Sequence, residues 1–194
     1  MGQGHKFHLS NLHKLKDPER LKTQDPEQLW QLFADLEVGT VVDIGAGLGF
    51  FAIPFSRHIP QGKVYACDIS EEMLGFLREA ISVEGAVNVE PVHMQEVAVP
   101  LPDGVGDVVF MANLHHELDH PEDSMRESLR LLRPGGRIAI LDWKPEETPK
   151  GPPLHVRIAQ ATVRGQLEAA GFTAVREHDL LPYHYVITAD KPAQ

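Results

Sequence analysis

At 194 residues and 21.6 kDa the chain has the length of about one domain, and 28 acidic against 18 basic residues give it a formal net charge of -10. A generic nucleic-acid-binding face needs a basic surface to displace counterions, and this balance excludes one. With 42% apolar residues the chain can fill one sizeable core, yet no run approaches the ~18 to 20 consecutive apolar residues of a membrane span. The stretch from Met1 to Gln24 is polar and His/Lys-rich, without the apolar centre of a signal peptide. A single cysteine, Cys67, makes neither an internal disulfide nor a thiolate metal cluster. A cytoplasmic protein is the expectation.

Residues 1–24 follow no clean period but carry Phe7, Leu9, Leu12 and Leu15 among three histidines, so they are expected to lie on the domain. A helix is predicted from Asp25-Pro26-Glu27-Gln28: Asp25 as N-cap, Pro26 in the first helical position, and Gln28 where a capping box wants it. Leu29, Leu32, Phe33 and Leu36 then mark one apolar face. After Gly39 short apolar runs alternate with helices. Strands are predicted at Val41 to Ile44, Val64 to Cys67, Val87 to Val92, Val108 to Met111 and Ile138 to Leu141. Between them lie a helix over Phe50 to Arg57, kinked at Pro54, and one capped by Ser70. A third opens at Pro121 and is ended by Arg133-Pro134-Gly135-Gly136. Such alternation implies a parallel sheet with right-handed crossovers. After a helix stopped by Gly171, Thr173 to Asp179 and Tyr183 to Thr188 are separated by only Leu180, Leu181 and Pro182, too few for a crossover. They are predicted to form an antiparallel hairpin. The fold class is therefore α/β, doubly wound and Rossmann-like, with a mostly parallel seven-stranded sheet and an antiparallel final strand. Residues 25–194 make a single domain, over which 1–24 pack.

The most informative stretch is Val41-Val42-Asp43-Ile44-Gly45-Ala46-Gly47-Leu48-Gly49-Phe50. Glycines after a buried first strand let a ligand approach the backbone, and the following helix offers free N–H groups. A nicotinamide or flavin site ordinarily reads G-x-G-x-x-G, whereas Phe50 stands here at the last position. Asp43, two residues before the first glycine, would repel a pyrophosphate and suits a ligand with a cationic end. The second strand ends at Asp68, 68 − 45 = 23 residues past the first glycine. That is close to the ~20 residues at which an acid reaches ribose hydroxyls in doubly wound nucleotide folds. A carboxylate accepts from both vicinal hydroxyls, and Ser70 already serves as the next helix's cap.

With these motifs, with Met73, Pro100 to Asp103, Asp107 to Phe110 and Leu132 to Gly136, and with the terminal hairpin, the chain from about 38 to 190 resembles a known family. It is similar to the class I S-adenosylmethionine-dependent methyltransferases, in particular the small single-domain type related to the ubiquinone/menaquinone enzymes. The resemblance implies S-adenosyl-L-methionine as cofactor and S-adenosyl-L-homocysteine as product. By position, Gly45, Gly47 and Gly49 approach the methionine part, Asp43 organises that loop, and Asp68 holds the ribose. Ile69 and Met73 pack on the adenine, and either Gln95 or Glu96 meets its amino group. Asn113, just past the fourth strand, falls near the cofactor.

Residues beyond the C-terminal ends of parallel strands face the ligand crevice, which puts His115 or His116 near the transferred methyl. An imidazole there can remove a proton near neutral pH, and the resemblance favours His116 as the catalytic residue. The crowded His115, His116, Glu117, Asp119 and His120 suit tetrahedral metal geometry poorly, so no metal is expected. Trp143 and Phe7 are candidate aromatic walls, and His184 and Tyr185 are weaker site candidates. Short loops and the acidic surface favour a small-molecule acceptor over nucleic acid or protein. Two rival readings are a non-catalytic S-adenosylmethionine-binding or sensing module and a nicotinamide-dependent oxidoreductase.

Overall fold

The structure, a computed structural model, describes residues 17–193. A one-turn helix α1 (Arg20–Thr23) precedes α2 (Pro26–Trp30), which tightens into a 3₁₀ turn at Gln31–Phe33. Asp25 caps α2 by accepting from Glu27 N at 3.0 Å. Gln28 does not complete a capping box: its side-chain amide donates instead to Leu180 O at 3.4 Å, tying the helix to the terminal hairpin.

The alternating part follows as β1 (Thr40–Ile44), α3 (Ala52–His58), β2 (Lys63–Asp68), α4 (Glu71–Glu84), β3 (Val89–His93) and β4 (Gly106–Ala112). It continues through a 3₁₀ turn (His115–Glu117), α5 (Pro121–Leu131), β5 (Leu132–Trp143), a second 3₁₀ turn (Leu154–Val156) and α6 (Gln160–Ala170), and closes with β6 (Thr173–His178) and β7 (His184–Asp190). Pro54 falls in the first turn of α3, where its missing N–H costs little. Ser70 caps α4, accepting from Met73 N at 3.2 Å, and Gly85 and Gly171 end α4 and α6 in the left-handed conformation.

The seven strands form one sheet in the order β3-β2-β1-β4-β5-β7-β6. The first five pair in parallel, while β7 inserts antiparallel between β5 and β6. The predicted fold and the antiparallel final strand are both borne out. Alternate strand residues face opposite cores. Val41, Phe110, Leu141 and Val186 pack with Leu29, Phe33 and Phe55 on one side. Ile44, Met111, Ile140 and Ile187 pack with Met125, Val163 and Leu167 on the other. β1 and β4 are buried on both faces, which is why their sequences read as unbroken apolar runs.

Most boundaries shift by a residue or two, and the one between α5 and β5 differs more. Arg133-Pro134-Gly135-Gly136 does not end α5, which stops at Leu131, but forms the irregular start of β5. Gly106 pairs with Leu132 and Val108 with Arg137, so residues 133–136 bulge opposite Asp107. Asp107 holds the bulge through Arg133, and its other oxygen accepts from Gly39 N and Thr40 N at 2.8 and 2.7 Å. This anchors the starts of β1 and β5 to β4, so that the opposite, C-terminal ends of the strands lie together.

Candidate active site

At those C-terminal ends lies a cavity of about 320 Å³. The turn after β1 forms its floor. Gly45, Gly47 and Gly49 have φ of 74°, 55° and 81°, the region that favours glycine. Gly45 N and Ala46 N both donate to Cys67 O, at 2.8 and 2.9 Å, so β2 fixes the turn's position. A Cβ on Gly45 would lie 2.7 Å from Leu114 Cδ2, and one on Gly49 would lie 2.6 Å from Leu77 Cδ1. Gly45 and Gly47 line the cavity, whereas Gly49 lies behind it, packed on α3 and α4.

Two carboxylates stand side by side on this floor. Asp43 is 2% exposed, and its Oδ2 has no hydrogen-bond partner among the described residues. Burial, with the charge of Asp68 added, pushes its carboxyl up to about 7, against a hydrogen bond from the Ala52 backbone. Asp68 accepts from Gly47 N at 3.0 Å through Oδ2 and from Ser70 N at 2.9 Å through Oδ1. Burial raises its carboxyl as well, opposed by those backbone donors. Asp68 thus pins the glycine turn to the start of α4 while keeping spare lone pairs toward the cavity.

Ile69, Met73, Glu96 and Asn113 line the cavity as expected, but Gln95 does not. Its backbone pairs with Ala98 in an isolated bridge that leaves the side chain outside, and Glu96 takes the inward place. Glu96 Oε1 also accepts from Asp119 N at 2.8 Å. Asn113 has φ 55°, a left-handed conformation asparagine tolerates better than most residues.

His116, expected beside the transferred methyl, is likewise not on the cavity wall. Asp142 captures it from β5. Asp142 Oδ1 meets His116 Nδ1 at 2.8 Å, and Oδ2 accepts from His116 N at 3.0 Å. Burial opposes the charged ring, but the hydrogen bond and charge of Asp142, aided by Glu117, outweigh it and hold the imidazole above its ordinary value. The next residue, Glu117, does line the cavity. His115 is buried away from it, its pKa lowered chiefly by burial.

The sequence reading missed Arg20, Gln24 and the pairing of Asp142. Arg20 lines the cavity, its guanidinium 3.9 Å from the Phe50 ring centroid, and burial lowers its pKa to about 10. Gln24 is 3% exposed and accepts from Asn113 Nδ2 at 2.8 Å through Oε1. Its amide nitrogen lies 3.2 Å from Nε2 of His184, which burial keeps neutral by lowering its pKa to about 3. His184 in turn packs on Trp143, ring centroids 4.0 Å apart. Residues 17–24 therefore cross over the site. Residues 1–16 of the expected covering segment, Phe7 included, lie outside the described residues. A buried Gln24 was signalled only by its position one residue before a strong N-cap.

A family profile described as a methyltransferase domain matches residues 41–136. The ubiquinone/menaquinone biosynthesis C-methyltransferase UbiE of Pseudomonas putida is 35% identical over 123 residues, 60% of this chain and 48% of that protein. UbiE of Pseudomonas entomophila is 37% identical over 105 residues, 53% of this chain and 41% of that protein. The chain thus spans about half the length of these curated relatives. Among solved structures, a SAM-dependent methyltransferase from Aquifex aeolicus is 39% identical, with a TM-score of 0.90 over 96% of this chain and 100% of that one. The [4+2]-cyclase SpnF shares the fold at 19% identity and a TM-score of 0.72, covering 87% of this chain and 82% of that one.

The His116–Asp142 pair has a thermodynamic signature of its own. A ring whose folded pKa is raised contributes stability in full below the unfolded value of ~6.5 and loses it as pH rises through the folded value. His116→Ala is expected to destabilise the protein by about 1 to 3 kcal/mol at pH 6 or below, the range for losing a hydrogen bond to a charged group. The deficit should shrink toward pH 8.5. Denaturant unfolding of both proteins across that range measures it, and a pH-independent difference would contradict the pairing.

Proposed function

The chain belongs to the S-adenosylmethionine-dependent methyltransferases, and from that premise we propose that its cavity holds S-adenosylmethionine for methyl transfer to a small-molecule acceptor. Asp43 carries this reading: a buried carboxylate with one unpartnered oxygen, on the wall of a cavity floored by left-handed glycines. Such a group fits an ammonium and would repel the pyrophosphate of a dinucleotide. The cradle fits too, since a side chain at Gly45 would collide with Leu114.

In this reading Asp43 receives the ammonium of the methionine part and Arg20 its carboxylate. Asp68 accepts from the ribose hydroxyls with the lone pairs its backbone donors leave. Ile69 and Met73 flank the adenine, and Glu96 rather than Gln95 is in reach of its amino group. When bound, the cofactor supplies a methyl group on a positively charged sulfur whose thioether form leaves readily. The protein's own task is then alignment and exclusion of water. Phe50, Phe51, Leu114 and Leu118 supply the apolar wall for that. Residues 17–24 act as a lid, with Arg20 on the cavity wall and Gln24 holding Asn113.

Three measurements test this. Calorimetric titration should show S-adenosylhomocysteine binding and no comparable binding of NADH. Asp68→Ala should weaken the former at least tenfold, since each hydrogen bond to a charged acceptor contributes about 1.5 to 3 kcal/mol; an unchanged Kd would sink the ribose assignment. The second concerns pH. Binding an ammonium favours ionised Asp43, so affinity should rise up to tenfold per unit as pH climbs from 5.5 and level off above about 7. Asp43→Asn should bind more weakly and lose most of that slope. Third, hydrogen exchange in residues 17–24 should slow on adding S-adenosylhomocysteine, and equal protection in both states would count against a lid.

A further inference from the structure

Glu117, His116 and Asp142 form a line that leads from the cavity into the protein. Glu117 lines the cavity with its side chain 19% exposed, His116 behind it is 6% exposed, and Asp142 behind that is 1% exposed. Glu117 Oε1 lies 3.7 Å from His116 Nε2, and His116 Nδ1 lies 2.8 Å from Asp142 Oδ1. Asp142 is itself immobilised, because His116 N donates to Oδ2 at 3.0 Å and Trp143 N to Oδ1 at 2.7 Å. A neutral ring that donates from Nδ1 to Asp142 has its lone pair on Nε2, the nitrogen on the Glu117 side.

We propose that these three residues are a proton relay leading away from the cavity, and that the methyl acceptor is a molecule whose nucleophilic atom carries a proton it must lose. This rests on the reading of the cavity as a methyl-transfer site. In the transfer, a lone pair on the acceptor's oxygen, nitrogen or sulfur bonds to the methyl carbon as the carbon–sulfur bond breaks and its electron pair stays on the departing sulfur. The acceptor's proton passes to the Glu117 carboxylate and from there to His116 Nε2, while Asp142 stabilises the imidazolium that results. Glu117 is the catalytic contact; His116 and Asp142 act through it. The groups facing His116 pull its ring in both directions. Asp142 on β5 and Glu117 on its own turn favour the charged ring, while burial and Arg157, beyond the second 3₁₀ turn, oppose it. His115, the preceding residue, loses some basicity to the His116 charge. A thioether releases no proton on methylation, so such an acceptor has no use for the line.

The test uses the full chain and its Glu117→Gln, Asp142→Asn and Asp142→Glu variants, each first titrated with S-adenosylhomocysteine. Absence of binding to the parent chain would overturn the methyl-transfer reading itself, separately from the relay. With S-adenosylmethionine, the probes are catechol, phenethylamine and dithiothreitol, which carry a proton on the acceptor atom, and the thioether thioanisole, which does not. Methylation is expected only in the first group. Single-turnover rates should fall ~10²-fold in Glu117→Gln and Asp142→Asn, with partial recovery in Asp142→Glu and S-adenosylhomocysteine affinity held within about threefold. Comparable methylation of the thioether, or an undiminished rate in Glu117→Gln, would overturn the relay. Nitrogen-15 NMR of His116 decides the matter whether or not a probe is methylated. The neutral ring should carry its proton on Nδ1, with a titration midpoint that falls in both Glu117→Gln and Asp142→Asn. A proton on Nε2, or a midpoint unmoved by Glu117→Gln, would overturn it too.

Discussion

A carboxylate buried without a full set of partners is costly, and Asp43 is such a group. It stands where β1 ends, in reach of the charge of Asp68 at the end of β2, which adds to burial in disfavouring its ionisation. A fold tolerates this only where neighbouring structure leaves the side chain nowhere else to go. Here the turn after Asp43 is locked by two N–H donors to Cys67 O and one to Asp68, and Leu114 and Leu77 pack against its glycines. The turn cannot relax away from the acid without breaking the pairing of β1 with β2. What results is a negative, water-poor floor held ready before any ligand arrives. A cationic ligand recovers part of the cost of that burial, which makes charge the first filter on what enters.

The cover over this floor is built in a different way. Arg20 reaches the cavity from a helix of four residues, too short to be stable by itself, and lies across Phe50. Gln24 is buried because it links Asn113 on the β4 side with His184 on β7. At the other end of the segment, Asp17 pairs with Lys150, beyond β5. So short a helix gains little order from its own backbone bonds and leans on these contacts. The floor is rigid because strands and glycines fix it, whereas the cover is held by a few polar contacts that can be exchanged for contacts to a ligand.

The sheet was legible in the sequence because buried parallel strands read as short apolar runs and glycine marks the turns between them. The hairpin followed from chain length alone: three residues cannot make a crossover. Asp43 and Asp68 were legible because their distances from the glycines are set by strand and turn lengths, which tolerate little variation. Elsewhere the decisive contacts join distant parts of the chain. Arg133 to Gly136 read as a helix stop, but Asp107 draws them into β5. Gln95 and Glu96 differ by one position in a loop, and the bridge from Gln95 to Ala98 decides which of them faces inward. His116 was expected at the cavity because it follows β4. Its place is fixed instead by Asp142, 26 residues further on, and no local pattern reports that.

Sharing this fold does not determine chemistry, as a cyclase with the same architecture makes plain. Within one chain, then, the general work of the fold and the particular work of the site can be carried by different elements. β1, β2 and the start of α4 build the floor and glycine turn of the cavity, the part proposed to take the cofactor. The chain after β4, the end of β5 and the segment before β1 shape everything on the other side of the cavity. Those are the regions where sequence periodicity says least and where side chains are held by other side chains rather than by backbone ladders. Glu117, Leu118, Asn113 and Arg20 all stand there on the cavity wall. A methyl donor with a good leaving group demands little acid–base power of a protein, so in the proposed reading selectivity falls to this half of the cavity, through the shape and charge it offers the nucleophile.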